Sequence, residues 1–306
     1  MEKMKILKER LLIAGANGLL GQKLLHTFRG DYDILATGIE DKAFVQGAFF
    51  RYIRADLTQR TEVYNLVRAF EPTGVLNAAA YTNVDGSETD RENCWKVNVT
   101  AVEYLAAAAK KVGAKLVHVS TDYVFDGNSG PYNENSRPNP LGYYGKSKLA
   151  GENAVIASGV DYAICRTMVL YGVGIGLRPN FATWLADMLS QGRPVNIVDD
   201  QLGHPTISDD LAGAMRAVFE SKKSGIFHTT GADYVSRYDF AIKMAQVFGF
   251  DASRINRSKT ADLNQKAPRP LESEFILDKL KKETGYLPMS LEASLTLLRE
   301  QLSSKG

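Results

Sequence analysis

The chain has 306 residues, with 37 Lys+Arg against 35 Asp+Glu and a net charge of +2. This balance excludes a protein built to bind polyanions, so we predict no nucleic-acid partner. Hydrophobic residues make up 44% and charged residues 24%, which excludes disordered and fibrous classes and, at this length, suits about two domains.

Short apolar, β-branched runs alternate with helix-length segments through the first half of the chain. Alternation of this kind predicts an α/β fold, in which a doubly wound parallel sheet is covered by helices on both faces. The predicted strands are 11–14, 34–37, 52–54, 75–77, 116–120 and 162–168, and the predicted helices are 18–29, 61–70, 94–112 and 144–158.

The sequence pattern changes after residue 167, where prolines separate shorter and less regular segments. We therefore predict a first domain over 1–166 and a smaller second domain over 167–306. A helix over 208–220 and a strand over 226–229 make residues 208–230 a candidate return to the first domain.

A glycine-rich turn follows the first strand: Gly15, Gly18 and Gly21 punctuate the sequence GANGLLG. Glycine permits a tight turn and a close approach of the backbone to a pyrophosphate, and a following helix offers unpaired N–H groups to its charge. The spacing therefore indicates a dinucleotide site. The alternative is a glycine-rich loop that only closes the packing of strand on helix.

Three later features suit the same kind of ligand. Glu40, after the second strand, could hold an adenosine ribose and would repel a 2′-phosphate, although Lys42 argues the other way and a solvated turn is the alternative. Asp56 and Leu57 follow the third strand, where they could hold an adenine edge, or Asp56 could be only a helix cap. The small residues 78–80 after the fourth strand would let a flat cofactor lie against the backbone, or would only pack tightly.

A hydroxyl, a phenol and an ammonium group are predicted to meet at the end of the fifth strand. Tyr144 and Lys148 are four residues apart on a predicted helix, so they share a face, and the lysine should lower the tyrosine's pKa. Thr121 could donate to a substrate carbonyl as negative charge develops on it. The pair alone is more typical of an ordinary amphipathic helix, but the order of all these features along one chain favours a catalytic site.

With these motifs in place, the sequence resembles the extended short-chain dehydrogenase/reductase family. Within it, the chain is similar to the branch that reduces dTDP-4-dehydrorhamnose (dTDP-4-dehydro-6-deoxy-L-mannose) to dTDP-L-rhamnose. The matching stretches include 80–85, 120–127, 144–152, 180–181, 200–206 and 269–270, although Val169 stands where the family often has an aromatic residue.

The resemblance implies a Rossmann-type dinucleotide domain, a C-terminal α/β substrate domain, NADH or NADPH as cofactor, and a proton donor at Tyr144 assisted by Lys148 and Thr121. It implies that Asn98 supports Lys148 through a water. The implied cofactor-binding residues are Gly15, Asn17, Gly18, Leu19, Leu20, Gly21, Glu40, Asp56, Leu57, Ala78, Ala79, Ala80, Asn98, Tyr144 and Lys148. The implied substrate-binding residues are Val84, Asp85, Thr121, Tyr123, Asn180, Phe181, Gln201 and Arg269.

Two other functions stay open at this point: reduction of a different nucleotide-linked 4-keto sugar, and a non-catalytic regulatory subunit resembling the methionine adenosyltransferase beta subunit. We expect a dTDP-linked sugar as substrate, a homodimer, and no membrane partner, since no apolar run is long enough to cross a bilayer. Two cysteines and four scattered histidines indicate no metal site, and the sequence does not decide a magnesium requirement. The two cysteines fit a cytoplasmic protein.

Overall fold

The computed structural model describes residues 8–304, so residues 1–7, 305 and 306 of the two predicted domains lie outside it. Strands and helices alternate from β1 to β6, except that no helix separates β2 from β3, and shorter elements follow. The strands are β1 Arg10–Ala14, β2 Asp33–Gly38, β3 Phe50–Arg54, β4 Gly74–Asn77, β5 Lys115–Thr121, β6 Tyr162–Thr167, β7 Leu170–Tyr171, β8 Val195–Val198, β9 Leu202–Gly203, β10 Thr206–Ile207, β11 Gly225–His228, β12 Val235–Ser236 and β13 Ile255–Ser258. The helices are α1 Leu19–Thr27, α2 Arg60–Phe70, α3 Arg91–Trp95, α4 Ala101–Val112, α5 Tyr143–Ser158, α6 Phe181–Ser190, α7 Ser208–Glu220, α8 Arg237–Phe248, α9 Asp278–Thr284 and α10 Leu291–Ser303.

The main sheet has seven strands in the order β11-β6-β5-β4-β1-β2-β3, and every neighbouring pair is parallel. Its central strands are buried on both faces; Leu11, Leu12 and Ile13 of β1 have no exposed surface. Such a sheet needs continuous apolar strands, and these sequences supply them. Strand order reverses between β1 and β4, which places a crevice at their carboxyl ends. The predicted α/β doubly wound fold is confirmed.

Helices cover both faces of this sheet. On one face, α1 packs against α7 through an apolar cluster that includes Leu24, Phe28 and Met215. On the other, α2, α4 and α5 bury a second cluster around Val67 and Leu105. Because α7 lies in this helix layer and β11 pairs with β6, residues 208–228 belong physically to the sheet although they follow a long excursion.

A second lobe is built from the rest of the later chain. Its small strand pairs are β8 with β13, β7 with β10, and β9 with β12, and helices α6, α8 and α10 pack beside them. Their shared core includes Tyr171, Leu185, Phe240 and Leu295. The lobe lies beyond the carboxyl ends of β5 and β6, so it faces the crevice.

The segment predicted as a helix over 94–112 is helical throughout, but it begins earlier, at Arg91, and is not a single regular α-helix. The structure has α3, then a π-helical turn over Lys96–Thr100, then α4. Buried Asn98 explains the interruption, because its side chain bonds to the backbone of Tyr81 and to the Ser147 hydroxyl. A Cβ at Gly151 would lie 2.4 Å from the Asn98 carbonyl oxygen, so α5 can approach this turn only with glycine there. In the described part of the chain, no helix is long and apolar enough to cross a membrane.

Candidate active site

Two connected hollows lie along the carboxyl ends of the main sheet. The edge hollow, about 310 Å³, is lined by the Gly15–Gly18 turn, the ends of β2 and β3, and residues 77–81. The central hollow, about 500 Å³, is lined by the end of β5, by Tyr144 and Lys148 of α5, and by residues from the second lobe. Gly18 and Ala78 to Ala80 line both, so a single extended ligand can span them.

The turn after β1 lies too close to the backbone of the loop after β4 to admit a side chain at Gly15. Gly15 has φ +76°, and a Cβ there would lie 2.6 Å from the Ala79 nitrogen. Gly18 caps α1, whose first N–H groups have no side-chain partner at the cap. Gly21 does not line either hollow; a Cβ there would lie 2.1 Å from the Gly15 carbonyl oxygen, so its role is to let α1 begin close to the turn. This cradle fits a pyrophosphate.

Asn17 is a structural bridge within the turn. Its Nδ2 donates to Glu40 Oε2 (3.0 Å) and to the Lys42 carbonyl (2.9 Å), while its Oδ1 accepts from the Phe44 N–H (2.8 Å). These bonds hold the loop after β2 against the glycine turn. They also fix the Glu40 carboxylate at the wall of the edge hollow, where a ribose would lie.

The charged side chains that line the edge hollow, within residues 8–304, are both acidic: Glu40 and Asp56. Burial raises the pKa of Asp56, but hydrogen bonds from Thr58 and Gln59 outweigh it and lower the pKa overall. Asp56 Oδ1 accepts from the Thr58 N–H (2.9 Å) and hydroxyl (2.8 Å), so this carboxylate caps a turn and also lines the hollow, next to Leu57. The two alternatives predicted for Asp56, a place beside an adenosine ligand and a capping role, are therefore compatible. An adenosine ribose fits these acceptors.

Thr121, Tyr144 and Lys148 converge in the central hollow. Tyr144 lies in the first turn of α5 and is 9% exposed, Lys148 lies one turn later and is 2% exposed, and Thr121 ends β5. Leu19, Leu20 and Val84 complete nearby walls. The hydroxyl, phenol and ammonium groups thus meet where the two hollows join.

The pKa values differ from the expectation that Lys148 lowers that of Tyr144. Burial raises the pKa of Tyr144, and Tyr123 and Asp122 add to the shift, while a hydrogen bond with Thr121 opposes it. Burial lowers the pKa of Lys148 to about 8, although Glu152 opposes this. The Lys148 ammonium donates to the Val119 carbonyl (2.6 Å). Tyr144 therefore keeps its proton at neutral pH, which suits a proton donor.

Asp122 lies against this group, and sequence reasoning left it out of the site. The Thr121 hydroxyl donates to Asp122 Oδ1 (3.0 Å) and accepts from the Tyr123 N–H (3.2 Å). Burial raises the pKa of Asp122 to about 6, with Thr121 and Arg237 opposing. The Tyr123 ring meets the Tyr144 ring edge-on, 5.3 Å between centroids. The Thr121 proton must turn away from Asp122 before it can reach a substrate oxygen.

Asn98 and Phe181 are placed differently from the expectation. Asn98 lines neither hollow; it joins Tyr81 to Ser147 and is bonded to a neighbour of Lys148 rather than to Lys148 itself. Phe181 packs in the second lobe against Trp184 and Phe240, because it begins an amphipathic helix whose apolar face is the lobe core. Neither residue touches the cleft.

Asn180 lines the central hollow with its amide already engaged. It caps α6 through Thr183, and its Nδ2 donates to the Gly172 carbonyl (2.7 Å). Its role in the structure is therefore to position α6 beside the cleft.

A third space, the side recess, opens beyond Tyr123 and is lined by Asp122, Tyr123, Gln201, Arg237 and Arg269. Gln201 there donates to Thr260 and Gln265. The recess gathers chain segments that are more than a hundred residues apart.

Asp85 and Arg269 form a two-pronged ion pair beside this recess, at 2.9 and 3.0 Å. The Arg269 hydrogen bond lowers the pKa of Asp85. The pair ties residues 267–270 to the loop after β4, and both partners were predicted to bind substrate.

Besides Asp122, two charged residues at the cleft were missed from the sequence: Arg178 lines the central hollow and Arg237 the side recess. No local pattern marks them, because only tertiary packing brings them to the cleft. Val169, which replaces an aromatic residue common in the family, lines both spaces with φ +49°, a conformation that costs a β-branched residue energy. Among the described residues, no group of three or more His, Cys, Asp or Glu could hold a metal.

The fold and this geometry define an extended short-chain dehydrogenase/reductase. The chain belongs to the family described as the RmlD substrate binding domain, whose model matches residues 9–303. It is 35% identical over 304 residues to the dTDP-4-dehydrorhamnose reductase of Aggregatibacter actinomycetemcomitans, covering 95% of this chain and 98% of that one.

Two further relatives bear on function. A crystal structure of dTDP-4-dehydrorhamnose reductase from Bacillus anthracis in complex with NADP has a TM-score of 0.85 and 30% identity, covering 96% of this chain and all of that one. The methionine adenosyltransferase 2 subunit beta of Xenopus tropicalis is 34% identical over 280 residues, covering 89% of this chain and 82% of that one. The relatives of this chain therefore carry different names.

Proposed function

We propose that this chain reduces the C4 keto group of dTDP-4-dehydrorhamnose to give dTDP-L-rhamnose, with NADH or NADPH. The observation that carries the proposal is the convergence of Thr121, Tyr144 and Lys148 in a hollow continuous with the glycine cradle. Full-length similarity to reductases of this name supports the choice of substrate.

The chain's own residues supply the proton and the positioning. When bound, a reduced nicotinamide would supply hydride to the C4 carbon. Tyr144 holds a proton that it can give to the developing alkoxide, and Lys148 lies one helical turn away to steady the phenolate that remains. Thr121 can donate to the same oxygen once its hydroxyl turns from Asp122. Ala78 to Ala80 let a flat ring lie against the backbone.

The residue after Thr121-Asp122 argues for reduction rather than dehydration. Related nucleotide-sugar dehydratases resemble this chain but have a carboxyl group where Tyr123 lies here. Burial raises the pKa of Tyr123 to about 12, with Asp122 adding to the shift, so this phenol is a poor base at neutral pH. We infer that the site lacks the base that removal of water needs.

The test uses two reactions in parallel. In the first, the protein is incubated with dTDP-glucose and catalytic NAD, and the 4-keto-6-deoxy product is sought. In the second, it receives the dTDP-4-keto sugar with stoichiometric NADH or NADPH, and loss of absorbance is followed. Turnover in the second alone supports the proposal, whereas a keto product in the first contradicts it.

A second candidate is a non-catalytic regulatory subunit, favoured by the 34% identity to a methionine adenosyltransferase subunit beta. The same experiment separates the two, because such a subunit would turn over neither reduced cofactor with a dTDP-4-keto sugar. Reduction of a different nucleotide-linked 4-keto sugar in preference would point to a sister reductase.

We further propose that the first domain, 1–166, binds the dinucleotide and that residues 167–306 mainly contact the sugar nucleotide, with 208–230 returning to the first domain. The lining of the side recess by Gln201, Arg237 and Arg269 supports this division. The cytoplasmic location and the homodimer stay predictions.

A further inference from the structure

Arg237 is a partly buried cation without a hydrogen-bonded anion. It is the first residue of α8, and its guanidinium lies 5.1 Å from the centre of the Phe181 ring. Within residues 8–304 its side chain forms no hydrogen bond, and only its backbone N–H is engaged, by the Gln201 carbonyl. Burial lowers its pKa. Removing even part of a charge from water without such a partner costs free energy, so the position needs a reason.

The neighbouring groups do not supply a paired anion. Arg269, across the recess, adds like charge and already has Asp85 as its partner. Asp122 and Tyr123 face the guanidinium, but Asp122 Oδ1 accepts from Thr121, and burial raises the carboxyl pKa to about 6. Among residues 8–304, two guanidinium groups, those of Arg237 and Arg269, and one carboxyl group, that of Asp122, therefore line the recess, and the carboxyl group is not hydrogen-bonded to Arg237.

The position of Arg237 suits a ligand that lies in the central hollow. Asp122, Tyr123, Met168 and Val169 line both the side recess and the central hollow, so the two spaces share a wall. The recess measures about 40 Å³, enough for a few water-sized groups but not for a whole phosphate. Oxygen atoms of an anion in the hollow can therefore enter it.

We propose that Arg237 binds the diphosphate of the nucleotide-sugar substrate and is a main determinant of its affinity. The inference rests on the proposed function, which supplies a nucleoside diphosphate at this site. A guanidinium can bind two phosphate oxygens at once, and the partly buried position strengthens each charged hydrogen bond. The cofactor's own pyrophosphate belongs at the glycine cradle, at the other end of the cleft.

The experiment measures the affinity for dTDP by calorimetry, without turnover. Arg237→Met keeps an apolar chain over Phe181 and removes the charge, and Arg237→Lys keeps the charge without the forked geometry. Lys243→Met is the matched control: it lies on the same helix and loses an exposed ion pair with Glu292. Thymidine, which carries no phosphate, serves as a second probe.

We expect Arg237→Met to weaken dTDP binding about 10- to 100-fold, the usual loss for a charged hydrogen bond, with a smaller loss in Arg237→Lys. Thymidine binding and NADPH binding should stay unchanged in both, and Lys243→Met should bind dTDP like the wild type. In turnover, KM for the dTDP-sugar should rise far more than kcat falls.

Three results would overturn the inference. The first is that Arg237→Met binds dTDP as tightly as the wild type. The second is that Arg178→Met loses affinity for dTDP while Arg237→Met does not. The third is that Arg237→Met shifts the pH profile of kcat and leaves KM for the dTDP-sugar unchanged. The last would mean that Arg237 acts on Asp122. If Arg237→Met does not fold, the lysine variant gives the same decision. A wild type that binds dTDP through Arg237 but reduces no 4-keto sugar contradicts the proposed function alone, and the reverse pattern contradicts this inference alone.

Discussion

The edge hollow and the side recess lie at opposite ends of one cleft and are built in different ways. The edge hollow is formed mainly by turns that follow β1 to β4, each directly after a buried strand. The side recess takes one or two residues from each of several distant segments, such as Asp122, Gln201, Arg237 and Arg269. The edge hollow therefore follows from the regular geometry of the sheet, whereas the side recess depends on how the second lobe packs.

The two ends also differ in charge, because, among residues 8–304, only the side recess is lined by cationic side chains. Glu40 and Asp56 line the edge hollow, whereas Arg237 and Arg269 line the side recess. This arrangement distinguishes two phosphorylated ligands, since an adenosine ribose suits acceptors and a sugar diphosphate suits guanidinium groups. Thr121, Tyr144 and Lys148 stand between them. The predictions below test whether the ends act separately.

The largest expected effect is at the junction. Tyr144→Phe should lower kcat about 10²- to 10⁴-fold, because it removes the proton donor but not the binding surface. Steady-state rates and a separate NADPH titration check this, and the Kd for NADPH should change by less than about threefold.

Tyr143→Phe is the matched control for this variant. Its ring lies beside Arg91, on the other side of the α5 start, and lines neither hollow. Equal loss of kcat in both variants would show that the proton donor has been misassigned.

The next effect belongs to the edge hollow alone. Gly15→Ala should cost about 3 kcal/mol or more in the free energy of unfolding, since it adds a collision with Ala79 to the strain of positive φ. It should also abolish NADPH binding. Denaturant unfolding and a cofactor titration measure both.

Gly113→Ala separates strain from collision. Gly113 has φ +70° but nothing within 4 Å of a built Cβ, so we expect a cost of about 1 to 2 kcal/mol and normal cofactor binding. Equal losses in the two variants would mean that Gly15 matters only for its backbone conformation.

The contrast between the two ends explains what the sequence could predict. The glycine turn, residues 78–80 and Tyr144 with Lys148 occupy fixed offsets from strands or within one helix, so local spacing locates them. Arg237 shares no motif with Asp122 and meets it only through packing of α8. Phe181 was misplaced for the same reason: it adjoins Asn180 in sequence, but the helical period turns its ring into the lobe core.

The direction of the pKa shifts of Tyr144 and Lys148 could not be predicted from the sequence either. Spacing predicts that Lys148 is near Tyr144, but burial depends on the second lobe, and burial dominates both groups. Asn98 shows the same limit, since a π-helical turn rotates it toward Tyr81. Spacing predicts which residues are neighbours along a helix, but it does not predict how deeply tertiary packing buries them.

A pH-dependent effect is expected at the inner wall of the side recess. Burial raises the pKa of Asp122 from 3.8 to about 6, so its folded form favours the proton. The associated stability is fully present below pH 3.8 and is lost as pH rises through 6. Asp122→Asn should therefore be stabilised relative to wild type by up to about 3 kcal/mol more at pH 7.5 than at pH 3.5.

Denaturant unfolding at both pH values measures this difference. Asp239→Asn, which removes a carboxylate that accepts from the Ser236 hydroxyl on the surface of the second lobe, controls for general charge effects. A difference for Asp122→Asn that does not grow with pH would mean that Asp122 is ionised and paired in the folded protein at both pH values.

The smallest expected effect concerns cofactor choice at the edge hollow. Glu40 should repel a 2′-phosphate, and no lysine or arginine among residues 8–304 lines that hollow to attract one. We expect kcat/KM for NADH to be at least equal to that for NADPH.

Glu40→Gln keeps an oxygen that Asn17 can donate to, and it should raise kcat/KM for NADPH about tenfold, which corresponds to about 1.4 kcal/mol. Asp41→Asn is the control, because Asp41 is exposed, pairs with Arg54 and does not line the hollow. An equal gain in both variants would assign the effect to the general field of the loop, and a tenfold preference of the wild type for NADPH would contradict the role of Glu40. If Glu40→Gln changes the choice of cofactor while leaving dTDP affinity unchanged, the two charged ends of the cleft act independently.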